Sequence, residues 1–326
     1  MRKNLFFALL LIMAFSLRVS AQSSLLATLN HESTITTFYG SNALQQAHAA
    51  AMHGDVITLS SGTFMAVDIT KAVTIRGAGM QVDTISHTEP TIIANGFTIN
   101  VADTLSGKLT MEGLYSNQEI KISCLKNAIF LKCRFKSLKF TSASSIMKDL
   151  TFIHCKIANE FSSYNCSCSF ANSIVMNPYF GGTTYSSSFT NCYTNRVGIE
   201  YSEYKNCIIF QNQASGTSNS TYYNNLWLAD GNFKLNATNN TNIKIPTSDE
   251  RVKYLCVAYN DDYDYKLTEE LKSLIKGTDG TEVGIYGGNL PFDPTTTNPQ
   301  ITKFNVAAKS TTDGKLSVDI EVNGAQ

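Results

Sequence analysis

Apolar and polar positions alternate in short segments along the middle of this chain, and one kind of segment recurs. It has an aromatic residue, a variable residue, a polar residue that is often Asn, and then Cys or a small residue. The steps between successive aromatics are 22, 18, 19, 15 and 18 residues. A repeat whose units are too short to bury a face alone predicts a solenoid. The six copies begin at Phe130, Phe152, Phe170, Phe189, Tyr204 and Tyr222.

Within a copy, the apolar positions alternate with polar ones, as a strand with one buried face requires. Cys133 and Phe135 are the apolar positions of the first copy, between Lys132, Arg134 and Lys136. If each repeat is one coil, equivalent side chains stack roughly 4.8 Å apart in ladders inside the solenoid. The recurring Asn predicts a sharp bend between two strands, because Asn tolerates the left-handed conformation better than most residues. From the repeat length we expect ten to twelve coils.

The segment before the repeats predicts a cap. Residues 41 to 53 predict an amphipathic helix that begins at Ser41, buries a face with Leu44 and Ala47, and ends at Gly54. Two strands follow, at residues 56–59 and 73–75. A helix placed here would cover the open apolar end of the first coil.

These N-terminal motifs resemble those of right-handed parallel β-helix proteins, the pectate lyase-like group. The resemblance lies in GDVITL (residues 54–59), GTF (62–64) and ITKAVTIRG (69–77). A second match, at residues 264–288, is similar to the final coil of many secreted bacterial members, although it departs from them at 270–273. The resemblance covers about residues 33–290. It implies an all-β, right-handed parallel β-helix and leaves function open, because this fold hosts lyases, hydrolases, adhesins and proteins without known activity.

The last segment predicts a β-hairpin at residues 301–322. Asp313-Gly314 is a turn signal between two alternating runs, and Pro291, Pro294 and Pro299 separate the hairpin from the coils. We expect it to pack on the last coil and cover an exposed edge, with a pairing or anchoring role as the alternative.

The first 21 residues predict a secretory signal peptide, since a basic start precedes a short apolar run and small residues. We therefore expect an exported protein, in the periplasm, at the cell surface or outside the cell, with no transmembrane segment after cleavage and a monomeric state. The predicted organisation is a signal peptide at 1–21, a β-helix with its cap at 22–290, and a linker with a hairpin at 291–326. Nucleic acid is excluded as the expected partner, because the net charge is +0 and the chain is exported.

Eight cysteines in an exported chain ordinarily indicate disulfides. Thiols stacked in adjacent coils would have Cβ vectors that run side by side, which does not suit the geometry of a bridge. Two alternatives follow: an interior ladder of free thiols, or one or two bridges, with Cys166 and Cys168 the least predictable.

The sequence shows no recognisable catalytic constellation. Pectate lyases, as the resemblance implies, use clustered Asp residues to hold calcium and a basic residue to accept a proton, and that acidic cluster cannot be matched here. No two acids between residues 104 and 248 occupy recognisably equivalent positions of neighbouring coils. Asp261, Asp262 and Asp264 form the densest acidic stretch, but they lack the pattern of a calcium loop. We expect no metal and no cofactor, with calcium only if the protein is a lyase.

The most suggestive feature is basic, because residues 120–148 contain seven cations and no acid. Lys132, Arg134 and Lys136 would project from one outer face if their segment is a strand, where they could bind an anionic glycan. A solvated outer face is the alternative. Aromatic residues on which sugar rings could stack, or which pack between coils, also cluster further along the chain: Tyr179, Phe180, Tyr185, Tyr193, Tyr201, Tyr223 and Trp227.

Three functions follow from these observations. The first is an exported β-helix protein without a catalytic site that binds a glycan, with an extended polysaccharide as the expected partner. The second is a polysaccharide lyase that acts on an anionic polysaccharide through Lys132, Arg134 or Lys136. The third is a structural or adhesive surface protein.

Overall fold

The computed structural model describes residues 25–84, 86–101, 107–141, 147–164, 166–181, 186–197, 202–210, 220–230, 241–255, 259–296, 300–306, 309–310 and 313–323. The predicted signal peptide and Cys256 lie outside these residues. The described chain is nearly all β, with 47% strand and 7% helix.

The described residues form two helices, a 3-10 turn and 25 strands. The helices are α1 (Ala43–Ala50) and α2 (Glu269–Leu274), and the 3-10 turn is Glu250–Val252. The strands are, in chain order, β1 (Leu26–His31), β2 (Thr34–Tyr39), β3 (Val56–Leu59), β4 (Gly62–Met65), β5 (Thr74–Arg76), β6 (Thr91–Ala94), β7 (Phe97–Asn100), β8 (Leu109–Glu112), β9 (Leu114–Cys124), β10 (Lys126–Leu131), β11 (Arg134–Phe140), β12 (Met147–Ile153), β13 (Lys156–Tyr164), β14 (Cys166–Ala171), β15 (Ile174–Val175), β16 (Pro178–Gly181), β17 (Ser187–Thr190), β18 (Tyr193–Thr194), β19 (Ser202–Lys205), β20 (Ile208–Phe210), β21 (Thr221–Tyr223), β22 (Leu226–Leu228), β23 (Ile243–Ile245), β24 (Gln300–Val306) and β25 (Val318–Asn323).

The strands form a parallel β-solenoid of about 8 turns, which confirms the predicted architecture. The first sheet has the order β2-β1-β3-β5-β8-β10-β12-β14-β17-β19-β21, in which only β1 pairs antiparallel, with β2 and β3. The second sheet has the order β23-β22-β20-β18-β15-β13-β11-β9-β6-β4, with β7 and β16 paired at its side. The predicted ten to twelve coils are too many: the solenoid has about 8 turns, and no described strand after β23 joins these two sheets.

The interior contains the predicted ladders. The rings of Phe130, Phe152, Phe170, Phe189 and Tyr204 stack in succession, with centroids 4.6 to 4.8 Å apart, and Tyr222 follows at 5.4 Å. The predicted thiol ladder lies beside them as free, fully buried side chains, and burial raises the pKa of the Cys155 thiol to about 12. Cys166 and Cys168 are free as well, with their Sγ atoms 3.1 Å apart.

From β8 onward, each described coil turns from the first sheet to the second at one residue with positive φ, as the recurring Asn predicted. The φ angles at these corners lie between 44° and 63°. The corner backbone N–H groups donate to carbonyls of the next coil, for example Asn172 to Thr190 and Asn191 to Lys205. The corners therefore stack into an external row, which we name the corner row: Gly113, Lys132, His154, Asn172, Asn191, Asn206 and Asn224.

A helix caps the first coils as predicted, although its start differs. Its N-cap is Asn42 rather than Ser41, with no side-chain cap hydrogen bond, and it is shorter than the predicted 41–53. Ala43, Leu44, Ala47 and His48 are buried, in agreement with the predicted apolar face. The Lys71 ammonium donates to three carbonyls at the end of the helix, those of His48, Ala49 and Ala51, and so satisfies groups that the helix itself leaves open.

Residues 276–296 run back along the corner row instead of forming the predicted final coil; we call this segment the strap. Asn224 donates to the Lys276 carbonyl, Asn206 accepts from the Thr278 N–H, and Asn172 donates to the carbonyls of Ile285 and Gly287. Further along, His154 Nε2 donates to Leu290, and Thr296 donates to the Ala78 carbonyl. The strap therefore spans the whole corner row, and residues 291–296 lie against the solenoid.

A second hydrophobic core explains why the strap and the residues before it cover the solenoid. On the later coils of the second sheet, at β15, β18, β20 and β22, both faces are apolar, as in a sheet that is covered on both sides. Ile174, Tyr193, Ile208 and Leu226 point outward in register and pack against residues of the 250–285 region. Those residues are Val252, Leu255, Tyr265, Leu267, Leu271, Ile275, Val283 and Ile285.

The predicted C-terminal hairpin is present as β24 and β25. Among the described residues, its strands pair only with each other, so the expected packing on the last coil is not seen. Leu316, Val318, Ile320 and Val322 remain about half exposed.

Substitution of two adjacent tyrosines tests whether the interior aromatic ladder stabilises the fold. Tyr222 belongs to the stack and is 2% exposed, whereas Tyr223 points outward and is 36% exposed. Tyr222→Ala should lower the free energy of unfolding by about 3 to 5 kcal/mol, because it opens a cavity between coils. Tyr223→Ala should change it by less than about 1 kcal/mol. Urea denaturation measures both, and equal losses would contradict the ladder.

Substitution of two asparagines with positive φ tests whether the corner row holds the strap in place. Asn172→Gly keeps the backbone conformation without strain and removes the two hydrogen bonds to the strap. We expect a loss of about 2 kcal/mol and faster amide exchange in residues 284–293. Asn127→Gly is the control, because Asn127 also has positive φ but is exposed and lies outside the corner row. Unchanged exchange in 284–293 of Asn172→Gly would show that the strap does not depend on this corner.

Candidate functional site

The three cations singled out by the sequence lie in different surroundings. Lys132 is a corner residue, not a strand residue, and its side chain is buried by the strap. Its ammonium lies 2.9 Å from the Asp293 carboxylate and donates to the Thr295 carbonyl. Lys132 therefore fastens the strap to the solenoid.

Arg134 begins β11 and points outward beneath a loop formed by residues 259–264, which we call the acidic loop. Its guanidinium lies 4.5 Å from the ring centre of Tyr115 and 5.4 Å from that of Tyr259, both within cation–π range. It also pairs with Asp261 at 2.5 Å, and the Tyr259 hydroxyl donates to the same carboxylate. Burial, together with Asp261, raises the pKa of Tyr259, so the phenol keeps its donor proton.

Lys136 is exposed at the point where the register of β11 shifts. The structure thus does not bring the three cations onto one surface. Two of them are engaged by the C-terminal part of the chain itself, and ligand binding by Lys132, Arg134 and Lys136 stays a prediction.

A cleft of about 350 Å³ lies next to Arg134. Its floor continues the outward row of the second sheet, in which Tyr115, Arg134, Lys156 and Ile174 are successive register partners. The acidic loop forms one wall and the strap forms another. The lining residues include Gln81, Lys156, Asp261, Asp262, Tyr286 and Phe292.

Lys156 is the functional candidate that the sequence reasoning missed. Its ammonium donates to the Gln81 side-chain oxygen at 2.9 Å and lies 5.6 Å from the centre of the Phe292 ring. Burial lowers the pKa of Lys156; the charge of Asp261 opposes this shift, and that of Arg134 adds to it. The repeat contains a signal for this residue. Lys156 follows Cys155 just as Arg134 follows Cys133, at a repeat position that holds apolar residues in later copies.

A second surface lies beyond the bend of the second sheet; we call it the open face. The register aligns Thr98, Lys121, Lys139, Ser162 and Tyr179 across five strands. These residues are exposed or half-buried, so the face is open to solvent.

The open face also carries acids at equivalent positions. Glu119 and Glu160 both pair in register with Ser137, so they lie two coils apart. The Lys139 ammonium lies between them, 2.9 Å from Glu119 and 3.5 Å from Glu160, and these carboxylates raise the pKa of Lys139. Because the two acids lie two coils apart, a comparison of neighbouring coils in the sequence does not reveal this pair.

A shallow depression of about 530 Å³ adjoins this row. Its lining is almost entirely polar, with one aromatic ring, and supplies donors and acceptors of hydrogen bonds at several heights along the solenoid. The lining residues are Asn159, Glu160, Ser162, Asn177, Tyr179 and Arg196.

No part of the described chain places three or more His, Cys, Asp or Glu side chains where they could hold a metal ion. The stretch of Asp261, Asp262 and Asp264 is included in that statement. None of the helices in the described ranges has the length and hydropathy to cross a membrane.

Comparison with known proteins gives no relative: no family model, curated protein or solved structure matches this chain.

Neighbouring acids test the anchoring of the acidic loop. Asp261→Asn should weaken the contact with Arg134 and cost about 1 kcal/mol, since the pair is half exposed. Amide exchange in residues 259–264 should become faster. Asp262→Asn is the matched control and should leave the exchange rate unchanged, because Asp262 forms no pair with Arg134. Equal exchange in the two variants would contradict the role of Asp261.

Proposed function

We propose that this chain is an exported, right-handed β-helix protein of the pectate lyase-like group that binds a glycan along the open face without cleaving it. The observation that carries the proposal is the solvent-exposed row of Lys121, Lys139, Ser162 and Tyr179, with the adjoining polar depression.

The chemistry of this face suits sugars. Sugar hydroxyls donate and accept hydrogen bonds, and charged side chains form the stronger ones. The half-buried Tyr179 ring offers an apolar surface with a polar tip. Successive coils are spaced about 4.8 Å apart, so an extended polymer that lies along the solenoid meets a polar group of this row at each coil.

The charge on the face narrows the kind of glycan. Lys121 and Lys139 are balanced by Glu119 and Glu160, and Lys139 is already paired with both acids. The field over the open face is therefore mixed in sign, and we propose a neutral or mixed-charge glycan rather than a polyanion.

Affinity measurements with a panel of soluble polysaccharides test the proposal. The panel contains a neutral glucan, a mannan and a xylan, together with a polygalacturonate and an alginate, with and without calcium. We expect binding to at least one neutral polysaccharide. Tyr179→Ala should weaken that binding about tenfold, because an aromatic contact contributes about 1 kcal/mol or more. Tyr223→Ala, an exposed tyrosine on the first sheet, should leave it unchanged.

Two results would overturn the proposal. Binding to none of the polysaccharides would remove the glycan as ligand. The growth of ultraviolet absorbance from unsaturated sugar products would show a lyase, and the calcium arms would then tell whether that ion is its cofactor.

A further inference from the structure

The cleft beside the acidic loop contains a cation, Lys156, that forms no ion pair with the described residues. No carboxylate of the described chain lies within ion-pair distance of Lys156; Asp261 attracts its ammonium only from further away, while the ammonium donates to the Gln81 oxygen and lies near the Phe292 ring. A partly buried ammonium gains from a closer anionic partner, because a hydrogen bond between two charged groups is stronger than one to a neutral amide oxygen. Lys156 is therefore suited to receive an anionic group that enters the cleft.

The opposite charge stands on the wall formed by the acidic loop. Asp261 is engaged by Arg134 and Tyr259, and Asp264 accepts from the Lys266 N–H. The Asp262 carboxylate, which also lines the cleft, has no hydrogen bond or ion pair with the rest of the described chain. One cleft thus offers an ammonium and a carboxylate that are both available to a ligand.

The remaining walls are apolar or aromatic. Ile174 and Ile285 lie deep in the structure, and the Phe292 and Tyr286 rings meet edge to face at 6.3 Å. A volume of about 350 Å³ lies at the small end of the range for ligand pockets. Such a cleft suits a compact molecule with one apolar side, and it is too small for an extended polymer.

We propose that this cleft binds a free α-amino acid with an aromatic or large aliphatic side chain. Lys156 receives the ligand carboxylate, Asp262 receives its ammonium, and the side chain packs against Phe292. The site is separate from the open face, so it stands whether or not the protein binds a glycan.

Calorimetric titration of the full chain with three related probes tests this assignment without altering the protein. The probes are L-phenylalanine, its amide, which lacks the carboxylate, and its N-acetyl derivative, which lacks the ammonium. We expect L-phenylalanine to bind and each derivative to bind at least about tenfold more weakly, because each loses one charge-assisted hydrogen bond.

Two variants test which protein residue contacts the ligand carboxylate and which contacts its ammonium. Lys156→Met keeps an unbranched apolar stem and should abolish the preference for L-phenylalanine over its amide. Asp262→Asn should abolish the preference over the N-acetyl derivative. Lys121→Met, on the open face, is the control and should preserve both preferences.

The assignment is overturned if L-phenylalanine does not bind up to its solubility limit. It is also overturned if either derivative binds as tightly as the amino acid to the unaltered protein. Because the unaltered protein gives these results, they do not depend on the folding of any variant. Glycan affinity through Tyr179 is measured separately, so failure of one proposal leaves the other intact.

Discussion

The structure depends on one backbone constraint, which is that each coil from β8 to β22 turns between the two sheets at a single residue with positive φ. On either side of each such turn, the strands keep hydrogen bonds with the coils before and after them. Asn, and Gly at position 113, adopt this conformation with the least strain. Gly113 has a further reason, because a Cβ there would lie 2.5 Å from the Thr296 methyl group. The stacking of these turns creates the corner row, and the rest of the surface is organised around it.

The corner row determines where the C-terminal segment lies. The corner side chains present amides, an imidazole and an ammonium to the outside. Strap carbonyls accept from Asn172, Asn224, His154 and Lys132, the Thr278 N–H donates to Asn206, and the Asp293 carboxylate pairs with Lys132. Once the strap is held there, residues of the 250–275 region cover the apolar outer side of the second sheet at β15 to β22. The acidic loop then reaches Arg134. The second sheet is thus divided into a covered half, which contains the cleft, and an open face. Each candidate site is a consequence of that division.

Local periodicity predicted much of this fold. The aromatic and thiol ladders, the Asn turns, the buried face of the capping helix and the hairpin follow from patterns within a few residues of one another or one repeat apart. The strap could not be predicted in this way, because Lys132 and Asp293 are 161 residues apart in the chain. Because the sequence does not reveal that pairing, it led to the prediction that Lys132 binds a ligand. Lys156 was missed for a related reason, since its environment is formed by Gln81 and Phe292, which belong to no repeat.

The central claim is that the C-terminal segment covers one part of the solenoid and leaves another open. The rates at which an amine-acylating reagent modifies individual lysines of the native protein, read by mass spectrometry, test it most directly. The account predicts rapid modification of Lys121 and Lys136, which are exposed, and slow modification of Lys132 and Lys156, which lie beneath the strap and in the cleft. Modification of Lys132 as fast as that of Lys121 would contradict it.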